Sequence, residues 1–464
     1  MFKNIVGESF VLFDEDNLKH YGHDETEDFL FPPEVVLRPS STSEVSRIMR
    51  HCFDARIPIT PIGGRTGLSG GALCIHGGVG LALDRMNNII AIDENNLQVK
   101  TQPGVITQVL QDAVAAKGLF YPPDPSSKGS CTIGGNLAEN AGGPRAVKYG
   151  VTKDFVLNLE VVTPSGEVIH TGANTLKNST GFALTQLMVG SEGTLGVITE
   201  ATLKLISLPS HQMLMLIPFA SAVDACAAVS AIFRAGVVPS ALEFMERDAI
   251  DWVIKFVDDV SVPVGEDVQA HLLVEIDGNH SDSMMSDCEK VMTVVQQFHC
   301  GEILFADDDA QKNQLWKLRR KVAEAVKSHS VYKEEDTVVP RYALPELLSG
   351  VKSIGSKYGF KSVCYGHAGD GNLHVNIIRG ELSDQFWREV LPDAITEIFQ
   401  LCVKLGGTLS GEHGIGWVQK SYMPIAFSAA TMDLMRGIKD VFDPRGIMNP
   451  AKIFPEMPDR SRNF

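Results

Sequence analysis

Two histidines separated by a short Gly- and Asp-containing segment are the residues of this chain best suited to chemistry. His367 and His374 lie in YGHAGDGNLHVN, between Tyr365 and Asn376. On one unbroken strand they would face opposite sides, because they are an odd number of positions apart. If AGDGN forms a turn, the two imidazoles can converge from adjacent strands. Otherwise they are polar residues satisfied separately at the end of a sheet.

A Glu-His pair further along the chain could complete a metal site. Glu412 and His413 lie in the Gly-rich segment GGTLSGEHGIG. His367, His374 and Glu412 offer two neutral nitrogens and one carboxylate, a set that leaves positions open on a catalytic divalent ion. We expect zinc first, with ferrous iron or manganese as alternatives, because this set selects weakly among them. Such an ion lowers the pKa of a bound hydroxyl, so that His413 can remove its proton near neutral pH.

Two glycine clusters in the first half of the chain could hold phosphate groups. They are PIGGRTGLSGG, from Pro61 to Gly71, and GSCTIGGNLAENAGG, from Gly129 to Gly143. Glycines free backbone N–H groups for a pyrophosphate, and the interleaved Ser and Thr hydroxyls add donors. Neither cluster matches a dinucleotide fingerprint that opens a helix, and neither is a P-loop. Tight turns in a β-rich domain are the alternative explanation for each cluster.

The order of the motifs resembles that in the vanillyl-alcohol-oxidase superfamily of flavoproteins. PIGGRTGLSGG, YPPDPSSKGSCTIGGNLAENAGG, KYGVTKDFVLNLEVVTPSGEV and LMVGSEGTLGVIT are similar to its successive FAD-contacting segments. Within it, the whole chain resembles the group of D-lactate dehydrogenases, glycolate oxidase flavoprotein subunits and D-2-hydroxyglutarate dehydrogenases. That resemblance implies metal binding by His367, His374 and Glu412, with His413 as the base.

The resemblance also implies a set of FAD-binding residues. The first loop would hold the pyrophosphate, the second would line the flavin channel, GSEGTLGVIT would close around the adenosine end, and the C-terminal tail would reach the flavin. In that order the residues are Pro61, Gly63, Gly64, Thr66, Gly67 and Ser69; Pro122, Asp124, Ser130, Thr132, Gly135, Asn136, Gly142 and Gly143; Glu192, Gly193, Gly196 and Ile198; and Asn449. Many members that bind FAD covalently have a His where this chain has Arg65, so we expect non-covalent FAD.

The substrate carboxylate is expected to bind an arginine. The segment LWKLR resembles the family's carboxylate-binding segment, which implies this role for Arg319. Arginine suits a carboxylate because its planar fork can form two parallel bonds. A solvated helix face explains Arg320 and Lys321 equally well. Lys333 lies near the position where dicarboxylate-oxidising relatives keep a second cation, although its spacing to Asp336 is one residue longer than the resemblance implies. Asn376 is a further candidate for a substrate contact.

The elements that must position these residues follow from the hydrophobic pattern. Strands are predicted before Ile206 at EVVLRPSS, IPITPIGG, VGLALDRM, LQVKTQPG and LNLEVVTPSGEVI, and STSEVSRIMRHCFDA predicts a Ser-capped helix. After Leu208, strands alternate with amphipathic helices, which favours an antiparallel sheet with helices on one face. A last helix is predicted from about Ala426 to Phe442.

The predicted fold class is α+β, with three parts. Residues 1–208 form an FAD-binding domain of the vanillyl-alcohol-oxidase type. Residues 209–405 form an antiparallel-sheet substrate cap that carries the metal-ligand histidines. Residues 406–464 return to the flavin.

Composition narrows the function classes. A chain of 464 residues is longer than one core usually serves, and its net charge of −16, without a basic run, argues against a nucleic-acid partner. No apolar run has the length of a signal peptide core or a membrane span, which predicts a cytoplasmic protein. The eight cysteines form no C-x-x-C pair, which predicts buried reduced thiols and no iron-sulfur cluster.

Together these features predict an FAD- and metal-dependent dehydrogenase that oxidises a small D-2-hydroxy acid to the 2-oxo acid by hydride transfer to flavin N5. D-lactate or glycolate is the first expectation and D-2-hydroxyglutarate the alternative. Electrons would pass to an electron-transfer flavoprotein, an iron-sulfur subunit or quinone, and a homodimer is an open possibility. Three rival functions remain: a nicotinamide-dependent flavin reductase, a non-catalytic flavin electron carrier, and a metal hydrolase with an incidental flavin-like loop.

Overall fold

A computed structural model describes residues 1–26, 29–258, 260, 262, 264–306 and 308–456 of the chain. The chain divides into two compact units. The first comprises residues 1–142, 151–208 and those from 412 onward, and the second comprises residues 143–150 and 209–411. These units assign residues 143–150 and 406–411 differently from the domains expected from sequence.

Short strands build the sheets of the first unit. A four-stranded sheet has the order β1-β2-β4-β3, a five-stranded sheet has the order β5-β6-β10-β8-β9, and β11 pairs with β7. Strand β4 pairs in parallel with β2 and with β3, and the other pairings are antiparallel. The strands are Val11–Leu12 (β1), Val35–Leu37 (β2), Ile59–Ile62 (β3), Val79–Ala82 (β4), Ile89–Asp93 (β5), Gln98–Thr101 (β6), Leu119–Phe120 (β7), Val156–Val162 (β8), Val168–His170 (β9), Val197–Lys204 (β10) and Ile206–Ser207 (β11).

The predicted Ser-capped helix of the first unit is confirmed as Thr42–Ala55. The Ser41 hydroxyl accepts a hydrogen bond from the Glu44 backbone N–H at 3.3 Å, which satisfies one free donor at the helix start. Its apolar face, including Val45 and Ile48, packs into a core with the parallel strands. The other α-helices are Lys3–Val6, Glu15–His20, Thr107–Ala115, Ile133–Glu139, Leu184–Met188, Met423–Ala426 and Ala429–Phe442, and 3-10 turns lie at Glu8–Phe10, Thr152–Phe155 and Lys420–Tyr422.

The second unit is built on the antiparallel sheet that the sequence predicts. Its strand order is β15-β12-β14-β13-β17-β18-β16, and every pairing is antiparallel. The strands are His211–Phe219 (β12), Ala241–Glu246 (β13), Ala270–Gly278 (β14), Leu304–Phe305 (β15), Tyr332–Val338 (β16), Lys361–Gly366 (β17) and Asn372–Ile378 (β18).

Helices cover both faces of this sheet, so the expectation of helices on one face was wrong. Cys288 Sγ lies 3.8 Å from Met213 Sδ on one face, and Trp316 Nε1 donates to Glu275 at 2.9 Å on the other. Both faces are largely apolar, and each therefore needs a cover. The α-helices are Ala146–Tyr149, Ala222–Arg234, Arg247–Phe256, Ser281–Val295, Asp309–Arg320, Val322–His329, Leu344–Tyr358 and Leu391–Lys404; 3-10 turns lie at Gln296–Phe298, Arg341–Ala343 and Ala368–Asp370, and a π-helical turn at Phe386–Val390.

The cysteines match the expectation of reduced thiols. All eight are free, and all are buried except Cys300, which is half-buried. None of the helices in the described part of the chain is both long enough and apolar enough to cross a membrane.

Candidate functional site

The predicted turn between the two histidines is confirmed, and it brings their rings together. The 3-10 turn Ala368–Asp370 joins β17 to β18, and Gly371 follows it at φ +79°, where a Cβ would collide with the Val339 carbonyl oxygen. The His367 and His374 ring centroids lie 5.4 Å apart, and the residues are 3% and 4% exposed. A buried imidazole pair of this kind can supply two ligands to one ion.

Carboxylates lie against the Nδ1 atom of both rings. His367 Nδ1 is 2.9 Å from each carboxylate oxygen of Glu243. His374 Nδ1 is 3.3 Å from Glu334 Oε1 and 3.7 Å from Asp336 Oδ1. This arrangement leaves Nε2 of each ring for a metal, as in carboxylate–histidine–metal triads. The donor set therefore fits a divalent ion held by imidazole nitrogens.

Arg319 is buried beside the histidine pair. Its Nε lies 2.7 Å from Glu243 Oε2, and its guanidinium carbon lies 5.1 Å from the centre of the Tyr365 ring. Arg319 Nη2 is buried and makes no hydrogen bond within the described residues. This nitrogen can therefore donate to an anionic ligand. Arg320 is exposed and Lys321 pairs with Glu324 at 2.7 Å, which matches the solvated-face explanation.

Strand register decides which neighbours share a face with the histidine pair. Asp336 lies opposite His374, and Glu334 lies opposite Asn376, so these four side chains share one face of the sheet. The Asn376 side chain is fully buried on this face. Lys333 lies opposite Ile377 and therefore points to the other face. The structure does not bring this predicted substrate cation to the group.

Asp336 also anchors the segment that leads to Glu412. Its carboxylate accepts hydrogen bonds from the Ser410 hydroxyl at 2.7 Å, the Gly411 backbone N–H at 2.8 Å and the Asn372 side-chain amide at 2.7 Å. These bonds fix the last residues of the second unit immediately before Glu412 in the chain.

Glu412 and His413 begin the C-terminal part of the first unit. Glu412 Oε1 lies 3.9 Å from His413 Nε2, and both side chains are partly exposed. A Cβ on Gly142 would lie 2.9 Å from Glu412 Oε2. Glycine at position 142 therefore lets the second predicted phosphate loop approach this carboxylate. Gly143, the next residue, belongs to the second unit.

The two predicted phosphate loops meet within the first unit. A Cβ on Gly63 would lie 2.8 Å from Thr132 Oγ1, and one on Gly64 would lie 2.7 Å from the Ser130 carbonyl oxygen. Thr132 caps the helix Ile133–Glu139, because its hydroxyl accepts from the Gly135 backbone N–H at 3.3 Å. Side chains at the two glycines would therefore separate loops that come from distant parts of the chain.

The first loop has the features expected of a pyrophosphate cradle. A Cβ on Gly67 would meet open space, and the Ser69 hydroxyl is buried without a hydrogen-bond partner among the described residues. A buried hydroxyl left without a partner is costly unless a ligand supplies one. The loop residues therefore fit FAD. Thr66 is half-buried beside this open space.

Glu192 and Asn449 connect the loops of the first unit. The Glu192 carboxylate accepts from the Ile415 and Gly416 backbone N–H groups at 2.8 and 2.6 Å. The Asn449 side-chain amide donates to the carbonyl oxygens of Gly71 and Glu192 at 3.0 and 2.8 Å. Its oxygen accepts from Lys452, whose pKa burial lowers to about 8. The side chain of Asn449, predicted to reach the flavin, thus forms three hydrogen bonds within the first unit.

The remaining predicted FAD residues divide into loop and packing positions. Pro61 lies where a Cβ on Gly193 would come within 2.7 Å of its ring, and Gly193 itself is at φ +65°. A Cβ on Gly196 would lie 2.8 Å from Val161 Cγ1, so this glycine is required by close strand packing. Ile198 of β10 lies opposite Val161 of β8, and Pro122 is buried. Asp124 Oδ2 lies 3.9 Å from Lys128 Nζ, and the Asn136 amide donates to the Thr107 hydroxyl at 2.6 Å.

Three acidic residues of the structure were missed by sequence reasoning. Glu243 and Glu334 contact the histidine pair, and Glu139 lies between Gly71 and Gly414 in the first unit. Burial, and then the nearby Glu192 charge, raise the pKa of Glu139 well above its usual range. For Glu243 and Glu139, the only sequence signal was an acidic residue within an apolar run, in ALEFME and in NLAEN.

Two family models match this chain. The FAD binding domain matches residues 33–172, and the C-terminal domain of FAD linked oxidases matches residues 208–453. The chain is 39% identical to a D-lactate dehydrogenase of Anaerostipes hadrus, over 97% of this chain and 96% of the relative. It is 38% identical to glycolate oxidase subunit GlcD of Bacillus subtilis (95% and 94%) and 35% identical to a D-2-hydroxyglutarate dehydrogenase of Xanthomonas citri (94% and 93%).

Solved structures share the fold at low sequence identity. A p-cresol methylhydroxylase with substrate bound has a TM-score of 0.78 at 15% identity, over 97% of this chain and 95% of the other. A 4-ethylphenol oxidase from Gulosibacter chungangensis has a TM-score of 0.73 at 18% identity, over 98% and 96%. These similarities confirm the predicted α+β flavoprotein fold.

Proposed function

Because this chain belongs to the family of FAD-linked oxidases, we propose that it oxidises a small D-2-hydroxy acid to the 2-oxo acid, using non-covalent FAD and a divalent metal ion. The observation that carries the proposal is the buried histidine pair, with a carboxylate at each Nδ1 and Arg319 beside it. A 2-hydroxy acid presents a hydroxyl and a carboxylate, the two groups that such a site can bind. The relatives' names also specify lactate, glycolate and 2-hydroxyglutarate, which are all 2-hydroxy acids.

Each polar residue then has one task. His367, His374 and Glu412 hold the ion, and zinc is the first choice. Arg319 binds the substrate carboxylate through Nη2, which Glu243 leaves open. His413 removes the hydroxyl proton. When bound, the ion favours the ionised hydroxyl and FAD accepts the hydride.

Strand register supports a short substrate with a single carboxylate. The residues of β16 that share a face with His374 are Tyr332, Glu334 and Asp336, and none is a cation. A second substrate carboxylate near this strand would meet negative charge. D-lactate or glycolate is therefore the first choice of substrate.

D-2-hydroxyglutarate is the second candidate because a relative of that name is 35% identical to the chain. It would need a cation for its distal carboxylate. Lys333, the residue expected for that role, points to the other face of the sheet. The electron acceptor would be external to this chain, and an electron-transfer flavoprotein, an iron-sulfur subunit and quinone are the candidates. A carrier without catalytic activity would have no need for Arg319 beside a histidine pair.

The metal part of the proposal is tested by removing one ligand at a time. We expect His367→Ala, His374→Ala and Glu412→Ala each to lose the ion and turnover, and to retain FAD. His271→Ala is the matched control, because it removes a buried imidazole from the same sheet outside this cluster. Elemental analysis and flavin absorbance of the purified variants give the two contents. Near-stoichiometric metal in all three ligand variants would contradict the assignment.

A further inference from the structure

Glu243 contacts two groups that have different tasks in the proposed function. It lies on β13 and is fully buried. Both of its carboxylate oxygens are 2.9 Å from His367 Nδ1, and Oε2 is 2.7 Å from Arg319 Nε. His367 follows β17, whereas Arg319 lies near the end of the helix Asp309–Arg320. One carboxylate thus joins a proposed metal ligand to the proposed substrate anchor.

A second buried carboxylate on the same face has different hydrogen-bond and ion-pair partners from those of Glu243. Glu275 lies on the neighbouring strand, β14, and shares the face because it is opposite Ala241. Its oxygens accept from the Ser240 hydroxyl at 3.0 Å and from Trp316 Nε1 at 2.9 Å. Arg145 Nη2 also lies 3.5 Å from Glu275 Oε1, so this carboxylate has two neutral donors and one arginine as partners, and neither histidine of the pair is among them.

The two contacts of Glu243 have different physical consequences. A carboxylate that accepts from Nδ1–H holds the proton on that nitrogen, so the Nε2 lone pair of His367 is directed to an ion. The ion pair at Nε holds the Arg319 guanidinium beside Glu243 and leaves Nη2 for a ligand. Buried charge is costly unless it is paired, so neither partner can move away without a penalty.

We propose that Glu243 is a positioning residue that orients the metal ligand and the substrate-binding arginine together, and so couples ion binding to recognition of the substrate carboxylate. This inference rests on the proposed function. With an ion bound to His367, the Nδ1–H of this residue would be a stronger donor to Glu243. The carboxylate then shares less of its charge with Arg319, whose guanidinium becomes a better partner for substrate. Linkage requires the reciprocal effect, in which bound substrate carboxylate tightens the ion.

Glu243→Gln tests the coupling because it keeps the shape of the side chain and removes its charge. In the purified flavoprotein we expect zinc affinity, measured by competition with a chelator, to fall by roughly 10- to 100-fold, the usual effect of removing such a partner. We also expect KM for the 2-hydroxy acid to rise at saturating zinc. Glu275→Gln is the matched control and should change neither quantity. Wild-type zinc affinity and wild-type KM in Glu243→Gln would overturn the proposal.

A double-mutant cycle with Arg319→Ala separates positioning from general damage. If Glu243 acts on the substrate through Arg319, Glu243→Gln should raise KM in the wild-type background and leave it unchanged in the Arg319→Ala background. Equal increases in both backgrounds would mean that Glu243 does not act through this arginine, and would overturn the coupling.

A conservative variant keeps the test decisive if Glu243→Gln fails to fold. Glu243→Asp retains the charge but is one methylene shorter, so it cannot span both partners at their present distances. We expect it to lose either zinc affinity or substrate affinity, and wild-type values for both would overturn the proposal. A wild-type protein without metal, whose flavin no 2-hydroxy acid reduces, would instead disprove the proposed function itself.

Discussion

At the scale of single residues, the proposed chemistry depends on buried polar side chains, whose burial costs free energy unless each has a hydrogen-bond or ion-pair partner. Two imidazoles, an arginine and an amide are buried on one sheet face, where unpaired polar groups are costly. Carboxylates compensate the histidines and the arginine, whereas Arg319 Nη2 forms no hydrogen bond within the described residues. A ligand on this face would supply the missing partners, and so the arrangement is explained better by binding than by stability.

The base is the most specific residue-scale assignment. We predict that His413→Asn retains metal and FAD but slows flavin reduction by roughly 100- to 10,000-fold, the usual effect of removing a positioned base. The amide preserves much of the side-chain volume and can donate a hydrogen bond, but it cannot accept the proton. Anaerobic stopped-flow absorbance measures this step directly. Flavin reduction at the wild-type rate would assign proton removal to another group.

Sequence indicated some of these residues and not others for a physical reason. The pairing of His367 and His374 could be predicted, because a turn at AGDGN brings adjacent strands together. The role of Glu243 could not be predicted, because its partners His367 and Arg319 lie far along the chain and contact it only after the sheet forms. A glutamate within ALEFME carries no local sign of those contacts.

At the scale of elements, register converts one-residue differences into different chemistry. Lys333 and Glu334 are neighbours in sequence, yet only Glu334 shares a face with His374. This follows from the two-residue period of a strand and cannot be assigned until the partner residues are known. The sequence therefore predicted the antiparallel sheet type, but neither the strand at VYKEED nor which of its residues would point to the histidines.

The order of the strands in the sheet likewise could not be predicted from local sequence patterns. The hydrophobic pattern after Leu208 predicted the alternation of strands and helices that the structure has between 211 and 295. The placement of β13 between β14 and β17 depends on pairing across more than a hundred residues. Hydrophobic periodicity does not encode such long-range pairing.

A buried carboxyl between two loops gives an element-scale prediction. Burial and the Glu192 charge raise the pKa of Glu139, so the folded protein retains a proton that the unfolded chain releases above about pH 4.5. Stability should therefore fall as pH rises above that value, by up to about 1.4 kcal/mol for each pH unit until the folded-state pKa is reached. Glu139→Gln removes this loss.

Thermal unfolding from pH 4 to pH 8 measures the effect. We expect the Tm gain of Glu139→Gln over wild type to be smallest at pH 4 and to increase with pH. Glu34→Gln is the control for the same substitution at an exposed position. A gain that is constant with pH, or absent, would mean that Glu139 ionises normally.

At the scale of the whole molecule, the chain combines two compact units, to which the proposed function gives separate tasks. The first carries the loops that fit FAD, and the second carries the histidine pair and Arg319. Residues 143–150, which follow the second phosphate loop, belong to the second unit. Sequence reasoning could not detect that assignment, because composition does not change at Gly143.

The cofactor should be released intact. Arg65 occupies the loop position that carries a histidine in many covalent relatives, and its guanidinium contacts the His20 carbonyl oxygen. Arginine cannot form the histidyl link to the flavin. We predict that acid precipitation of the purified yellow protein leaves FAD in the supernatant, as measured by absorbance and chromatography. Flavin that remains with the pellet would indicate a covalent bond.

The central claim is that a small D-2-hydroxy acid reduces the flavin of this protein. Anaerobic mixing with D-lactate, L-lactate, glycolate, D-2-hydroxyglutarate and NADH, followed by flavin absorbance, tests it most directly. We predict full bleaching by D-lactate or glycolate, little or none by L-lactate and NADH, slower bleaching by D-2-hydroxyglutarate, and none after the metal is removed with a chelator. Bleaching by NADH alone, or by no 2-hydroxy acid in the metal-loaded protein, would contradict the proposed function.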